Sequence, residues 1–319
     1  FPEFEIRVAK DARPPASATG DNGDDVLRLI SKKDGIYAED FDHLPYEGFA
    51  EEHSMVLDLG DLSGAESILL LLDGWTHYVT SYGIYAASLN GVGPMLPRLD
   101  VLDGEGNWVT VAMDMGFPAG QPKTMTYELT GKFLTDEYKV RITTNLQIFW
   151  DQILVSTDTG SRAARTTELE PLRADTHWKG YPMPLTPAGD RRMYPANYDY
   201  DVIDSETERW VVPEGSFTRY GDVTPLLGDI DDMYSIMGPG DELTLEFDAG
   251  RLPELPEGWS RSFILCLDGF LKYVDPYVAY TSNVEPLPFH AMSGYPYPPD
   301  EGYPDDEAHL RYLREYNTR

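Results

Sequence analysis

Clusters of acidic residues are the first feature of this sequence that could do chemistry. Calcium binds several oxygen ligands at close range, and aspartate carboxylates supply them. None of the clusters has the spacing of an EF-hand loop. Two interpretations therefore stay open, calcium sites or solvated loops that keep the chain soluble. The candidate ligands are Asp21 and Asp24, Asp199 and Asp201, and Asp229, Asp231 and Asp232.

Aromatic residues that follow two Asp-Gly turns form the second candidate site. The turns are Asp73-Gly74 and Asp268-Gly269. Aromatic side chains on the loops of a β-sandwich can stack on sugar rings or anchor a protein partner, and they can also pack beneath other segments. All three interpretations stay open. The candidates for ligand or partner binding are Trp75, Tyr78 and Tyr82 after the first turn and Phe270 and Tyr273 after the second.

Sequence signatures of catalysis and of cofactor binding are absent. The six histidines form no HExxH or other paired metal motif, and the sequence has no GxSxG, GxGxxG or Walker loop. The single cysteine, Cys266, excludes an intrachain disulfide, CxxCH haem attachment and thiolate metal sites. Carboxylate pairs are too frequent in this acidic chain to single out a glycosidase-like pair. We therefore predict no haem, no nucleotide and no catalytic residues.

Charge and hydropathy exclude further classes of protein. The 319 residues include 25 Lys and Arg against 55 Asp and Glu, which gives a net charge of −30. Phosphate backbones and anionic membrane surfaces repel such a chain, so we expect no nucleic-acid partner. The longest apolar runs are far shorter than the roughly 20 residues of a membrane span. Hydrophobic residues make up 41% of the chain, which is enough to bury a core.

Short strands separated by Gly, Pro and Asp turns must position the acidic and aromatic candidate residues. Residues 99–102 and 108–112 flank a loop of turn formers and predict a hairpin. The fully apolar runs 68–72 and 263–267 predict central strands that are buried on both faces. This pattern is typical of an antiparallel sandwich or barrel. We expect further strands at 55–59, 124–129, 138–143 and 148–156.

A weak internal repeat indicates two related β-modules. Residues 72–79 and 267–274 share Leu, Asp-Gly, an aromatic residue and Tyr-Val at matching positions. We predict a first β-sandwich over residues 48–158 and a second β-module over residues 236–319. Residues 159–235 between them are rich in Arg, Pro, Tyr and Asp and predict an irregular, aromatic-rich connection.

The two ends of the chain have patterns of their own. Residues 1–47 predict an N-terminal arm, in which the alternating residues Phe4, Ile6 and Val8 either exchange as a strand with a neighbouring chain or pair within their own. Near the other end, dense Pro and Tyr predict an extended surface strap. A short helix over residues 305–316 should follow it, with Asp305 or Asp306 as its cap and Leu310, Leu313 and Tyr316 facing the body.

Several motifs together resemble a known kind of bacterial protein region. They include Asp73-Gly-Trp75, Met115-Gly-Phe-Pro-Ala-Gly120, Ile236-Met-Gly-Pro-Gly-Asp-Glu242 and Tyr316-Asn-Thr-Arg319. They resemble the uncharacterised C-terminal region of large exported bacterial proteins that carry FG-GAP (integrin-like), ASPIC/UnbV or TPR segments. The resemblance covers residues 25–319 and implies a location outside the cytoplasm or on the cell surface. It implies no catalytic residues.

The sequence as a whole predicts a mainly β protein. We expect two jelly-roll or galactose-binding-like antiparallel β-sandwiches with Pro/Tyr-rich straps and a short C-terminal helix. The functional interpretation is a non-catalytic extracellular or cell-surface module that contacts protein chains, including copies of itself, in a surface assembly. A carbohydrate-binding module is the first alternative, and a glycosidase-like enzyme is the second.

Overall fold

The computed structural model describes residues 8–158, 166–184, 198–204, 211–272, 274–278 and 281–319. Residues 8–158 belong to one compact unit, and the described residues from 166 onwards belong to another. The protein is mainly β, with several antiparallel sheets and, within the described ranges, two short α-helices. No helix in these ranges has the length and apolar character needed to cross a membrane.

The described residues of the first unit contain two antiparallel sheets, one α-helix and a 3-10 helix over Leu27–Leu29. Its helix, α1, spans Ser81–Leu89, and the hydroxyl of Thr80 caps it by accepting a hydrogen bond from the backbone N–H of Gly83. The strands are β1 (Ser17–Thr19), β2 (Phe49–Asp58), β3 (Leu69–Thr76), β4 (Arg98–Leu102), β5 (Trp108–Ala112), β6 (Gly120–Glu128), β7 (Lys139–Leu146) and β8 (Ile148–Ser156). One sheet has the order β1-β2-β7-β4-β5, and the other has the order β6-β3-β8.

Both sheets contribute side chains to one apolar core. The predicted central strand at 68–72 is confirmed, because β3 lies between β6 and β8 and fully buries Leu70 and Leu72. The five-stranded sheet supplies Leu57, Leu99 and Val140 to the same core. Each fully buried side chain of this size stabilises the fold by roughly 1.5 to 3 kcal/mol relative to an exposed one.

The hairpin and the later strands of the first unit follow their sequence signals. Leu102 pairs with Trp108 across the β4–β5 hairpin. In the connecting loop, the Asp103 carboxylate accepts hydrogen bonds from the backbone N–H groups of Glu105 and Asn107. The strands predicted at 124–129, 138–143 and 148–156 are confirmed as β6, β7 and β8.

Residues 8–47 lie along the first unit instead of standing apart from it. β1 pairs with β2, and isolated bridges join Arg13 to Val155 and Ala38 to Trp150. Val8 is half-buried and belongs to no strand. Phe4 and Ile6 lie outside the described residues, so the strand exchange stays a prediction.

Asp11 holds the start of this segment against the end of β8. Its carboxylate accepts hydrogen bonds from the hydroxyls of Ser156 and Thr157 and from the backbone N–H groups of Thr157 and Asp158. The bond from Ser156, followed by those from Thr157, holds the pKa of Asp11 well below its usual range. The ionised carboxylate therefore fastens the N-terminal residues to the sheet.

The second unit contains two smaller antiparallel sheets. Its described strands are β9 (Arg173–Trp178), β10 (Tyr181–Pro184), β11 (Tyr198–Asp204), β12 (Gly221–Asp222) and β13 (Asp241–Glu246). β9 lies between β12 and β13, and β10 pairs with β11. A separate core holds these segments together, and it consists of Ala174, Phe217, Val223, Leu226, Val284, Leu287 and Tyr312.

The structure corrects two sequence-based expectations for this unit. The connection expected to be irregular contains β9 to β12, and the inward alternation of Ala174 and Thr176 is the strand signal in β9. The apolar run 263–267, expected to be a buried central strand, belongs to no strand and is exposed. An apolar run becomes a buried strand only where other strands and a covering layer meet it.

The predicted C-terminal helix is confirmed as α2, which spans Glu307–Glu315. The Asp306 carboxylate caps it by accepting hydrogen bonds from the backbone N–H groups of Ala308 and His309. Leu313 and Tyr316 pack against the second core as expected. Leu310 is exposed instead, and Tyr312 is the buried residue of this helix.

Candidate interaction surface

An exposed run of large apolar side chains marks the second unit. It covers residues 262–271, which we call the apolar segment. Phe263 is 74% exposed, Ile264 67%, Leu265 60%, Leu267 77% and Leu271 82%. Soluble proteins seldom expose a contiguous apolar patch of this kind unless it binds something.

The backbone of the apolar segment is unpaired as well. Within the described part of the chain, none of its N–H or C=O groups takes part in a hydrogen bond. A row of free donors and acceptors is what an edge strand presents to a second strand. The segment therefore combines apolar side chains with backbone groups that a partner strand could satisfy.

Contacts at both ends hold the apolar segment in place. At its N-terminal end, the guanidinium of Arg261 donates to the carbonyl oxygen of Pro253 over 2.7 Å. At its C-terminal end, the Phe270 ring lies against the ring of Tyr295, with centroids 4.8 Å apart. The ammonium of Lys272 follows and donates to the carbonyl oxygen of Val284 over 2.9 Å.

Lys272 and Tyr295 form a partly buried polar anchor. The Lys272 ammonium donates to the Tyr295 hydroxyl over 2.6 Å, and this hydroxyl donates to the carbonyl oxygen of Pro286 over 2.8 Å. Burial raises the pKa of Tyr295 to about 12, so the phenol stays protonated and keeps its donor role. Burial lowers the pKa of Lys272, against a smaller opposing effect of the Glu285 charge.

His290 links the apolar segment to the acidic turn at Asp232. Its Nε2 lies 3.1 Å from a carboxylate oxygen of Asp268, and its Nδ1 contacts a carboxylate oxygen of Asp232. Asp232 has a φ of 66°, and its carboxylate also accepts a hydrogen bond from the Tyr234 hydroxyl. Burial, and then this hydrogen bond, raise the pKa of Tyr234, so its hydroxyl remains a donor. Asp232 and His290 thereby hold Asp268, inside the apolar segment, in place.

The predicted aromatic site residues separate into different environments. Of the three interpretations left open, packing describes Trp75, which lies in β3, is 2% exposed and stacks on Phe149 with ring centroids 4.2 Å apart. Tyr78 is half-buried. Tyr82 is exposed on α1, and its hydroxyl donates to Glu47. Phe270 lies in the apolar segment, while Tyr273 falls outside the described residues.

The predicted acidic residues make hydrogen bonds to separate partners, some neighbouring and some distant in the sequence. Within the described residues, no three His, Cys, Asp or Glu side chains come together in a way that could hold a metal ion. The described residues therefore show no arrangement of ligands for calcium, and the calcium sites stay a prediction. The carboxylates of Asp21, Asp199 and Asp231 accept hydrogen bonds from the backbone N–H groups of Ser54, Asp201 and Met233, respectively. The backbone carbonyl of Asp24 accepts a hydrogen bond from the N–H group of Gly20. Asp229 is exposed, and Asp232 contacts His290.

Sequence reasoning missed the residues that hold the apolar segment. His290 and Tyr295 lie more than 20 positions along the chain from Asp268 and Phe270, the segment residues that they contact. The nearest available signal was the density of Pro and Tyr over residues 284–306, which predicted a strap but not what it touches. Only the folded chain brings Tyr295 to Phe270 and His290 to Asp268.

Comparison of the chain with family models, with curated proteins and with solved structures finds no match.

Proposed function

We propose that this protein is a non-catalytic structural or interaction module that contacts other protein chains. The observation that carries the proposal is the apolar segment. Five large apolar residues within it are each at least 60% exposed, and a typical monomer seldom exposes a contiguous apolar surface of this kind. Anchors at both ends hold this surface toward solvent, which favours binding over chance exposure.

The finer architecture belongs to the same proposal. We propose a jelly-roll or galactose-binding-like sandwich for the first unit, because its five-stranded and three-stranded antiparallel sheets share one core. The non-sequential order β1-β2-β7-β4-β5 is consistent with that topology. For the second unit, the repeat at 267–274 favours a related module that is incomplete without added strands.

The proposed location is outside the cytoplasm, at a cell surface. The resemblance of the sequence to regions of exported bacterial proteins supports it. A surface assembly of protein chains fits both this location and an exposed segment with free backbone groups.

A carbohydrate-binding role is the second candidate. Tyr82 and Tyr85 favour it, because they lie one turn apart on α1 and about half of each side chain is exposed. A glycan array with Tyr85→Ala as the control separates this role from protein binding.

The protein-binding proposal is tested by photocrosslinking in cells that produce the full chain. A benzophenone amino acid replaces Phe263 in one variant and Leu172, which is 56% exposed outside the apolar segment, in the control. We expect Phe263 to crosslink to a protein chain well above the control level. Equal crosslinking from both positions, or capture of glycan alone, would contradict the proposal.

A further inference from the structure

We propose that the partner of the apolar segment is a second copy of this chain. The inference rests on the proposed function and names its partner. Residues 261–268 of one copy would pair antiparallel with residues 261–268 of the other about a two-fold axis. Each strand would then bond the free backbone groups along the edge that faces the other copy.

Comparison of the two copies of the internal repeat shows that, among the described residues, the apolar segment lacks neighbouring strands. In the first unit, Leu72, Asp73 and Gly74 lie in β3, which has a strand hydrogen-bonded along each edge. In the second unit, Leu267, Asp268 and Gly269 repeat these residues, but the described part of the chain supplies no strand on either edge. The same local sequence is thus buried in one unit and exposed in the other, and pairing with a second copy would supply one of the two strands that the apolar segment lacks in the described chain.

The exposed side chains are of the kind that a dimer interface buries. Phe263, Ile264, Leu265 and Leu267 are each at least 60% exposed, and homodimer interfaces are more apolar than the rest of a protein surface. The run is apolar at consecutive positions and therefore on both faces, as in a strand covered from two sides. A dimer would therefore pair the two strands and also cover their apolar side chains with the second units of both copies.

Charge selects an antiparallel arrangement. Residues 262–267 carry no charge, Arg261 precedes them, and Asp268 follows them. In the antiparallel register, Arg261 of one copy lies opposite Asp268 of the second copy, and Phe263 lies opposite Cys266. A parallel arrangement would place like charges side by side, which destabilises neighbouring strands. In a chain with a net charge of −30, this uncharged stretch is a place where two copies can meet with little repulsion.

The test follows the mass of the full chain together with the reactivity of Cys266. Light scattering gives the mass from roughly 0.1 to 100 μM protein, a range that spans common affinities, in about 0.15 M salt, which screens repulsion between copies. We expect the mass to double, and labelling of the exposed Cys266 thiol with a maleimide to slow on the order of tenfold as the dimer forms. Leu265→Lys should stay monomeric, and Leu172→Lys, with the same change at a similarly exposed leucine, should dimerise like the wild type.

Several results would overturn the pairing. A monomer mass at every concentration does so, as does equal association by Leu265→Lys. A dimer in which Cys266 keeps its monomer reactivity means that another surface is used. Slow labelling of Cys266 in the monomer means that the chain itself, for example its β10–β11 sheet, covers the segment. If the wild type stays monomeric while Phe263 crosslinks to another protein, the pairing fails and the proposed function stands.

Discussion

Asp100 shows how single residues let the first unit bury a charge. Its side chain is 1% exposed. One oxygen accepts two hydrogen bonds from Arg141, at 2.9 and 2.7 Å, and the other accepts one from Thr110 at 2.7 Å. Burial opposes ionisation of Asp100, but the hydrogen bonds from Thr110 and Arg141 outweigh it and hold its pKa below the usual value. The guanidinium of Arg141 also lies over the ring of Trp108, 5.0 Å from the ring centroid.

We predict that Asp100→Asn destabilises the protein by about 2 to 3 kcal/mol, because Arg141 loses its buried counter-charge and is only partly solvated. Urea unfolding followed by tryptophan fluorescence measures the free energy. Asp136→Asn, at an exposed residue, is the control and should change stability by less than about 0.5 kcal/mol.

The loss of stability caused by Asp100→Asn should also depend on pH. Since the pKa of Asp100 is lowered in the folded state, its contribution is fully present above the unfolded value of about 4. It declines as pH falls through the folded pKa. The stability gap between wild type and Asp100→Asn should therefore be constant near neutrality and narrow below about pH 4. A gap that does not change down to pH 2 would show that the charge is not its source.

At the scale of elements, partner strands decide what an apolar run becomes. β3 and the apolar segment share a local sequence pattern, yet β3 has hydrogen-bonded neighbours on both sides and the segment has none in the described chain. Helix α2 differs from these two segments, because a residue next to it in the sequence determines where it begins. The N–H groups of the first helical turn need acceptors, and Asp306 supplies one.

We expect Asp306→Ala to destabilise the second unit by about 1 kcal/mol, since the N–H groups of Ala308 and His309 lose their acceptor. Asp305→Ala is the matched control, because it removes the neighbouring carboxylate and leaves the cap intact. Thermal unfolding by circular dichroism compares the two variants. Equal losses of stability would assign the effect to net charge instead of the cap.

At the scale of the whole molecule, net charge is the dominant feature. A charge of −30 makes the folded state repel itself, and salt screens that repulsion.

We predict that the melting temperature rises as NaCl increases from about 10 to 150 mM, where the Debye length shortens from about 30 to 8 Å. Differential scanning fluorimetry measures the change. A melting temperature without any salt response would contradict self-repulsion. Calcium and magnesium at matched ionic strength form the second arm, and a larger rise with calcium would support the predicted calcium sites.

Local patterns alone were enough to predict much of this fold. Turn formers between 102 and 108 and the capping Asp306 act through neighbours in the chain, and both appear in the structure as expected. The net charge and the absence of catalytic motifs are likewise properties of the sequence.

Tertiary structure alone decided which apolar residues face solvent. Leu72 is buried in β3, which lies between two strands, whereas Leu267, at the matching position of the repeat, is exposed and meets no strand in the described chain. The anchors from His290 and Tyr295 also required folding, since they join residues about 20 or more positions apart. Burial depends on which distant segments of the chain pack against a residue, and a local sequence pattern does not specify those segments.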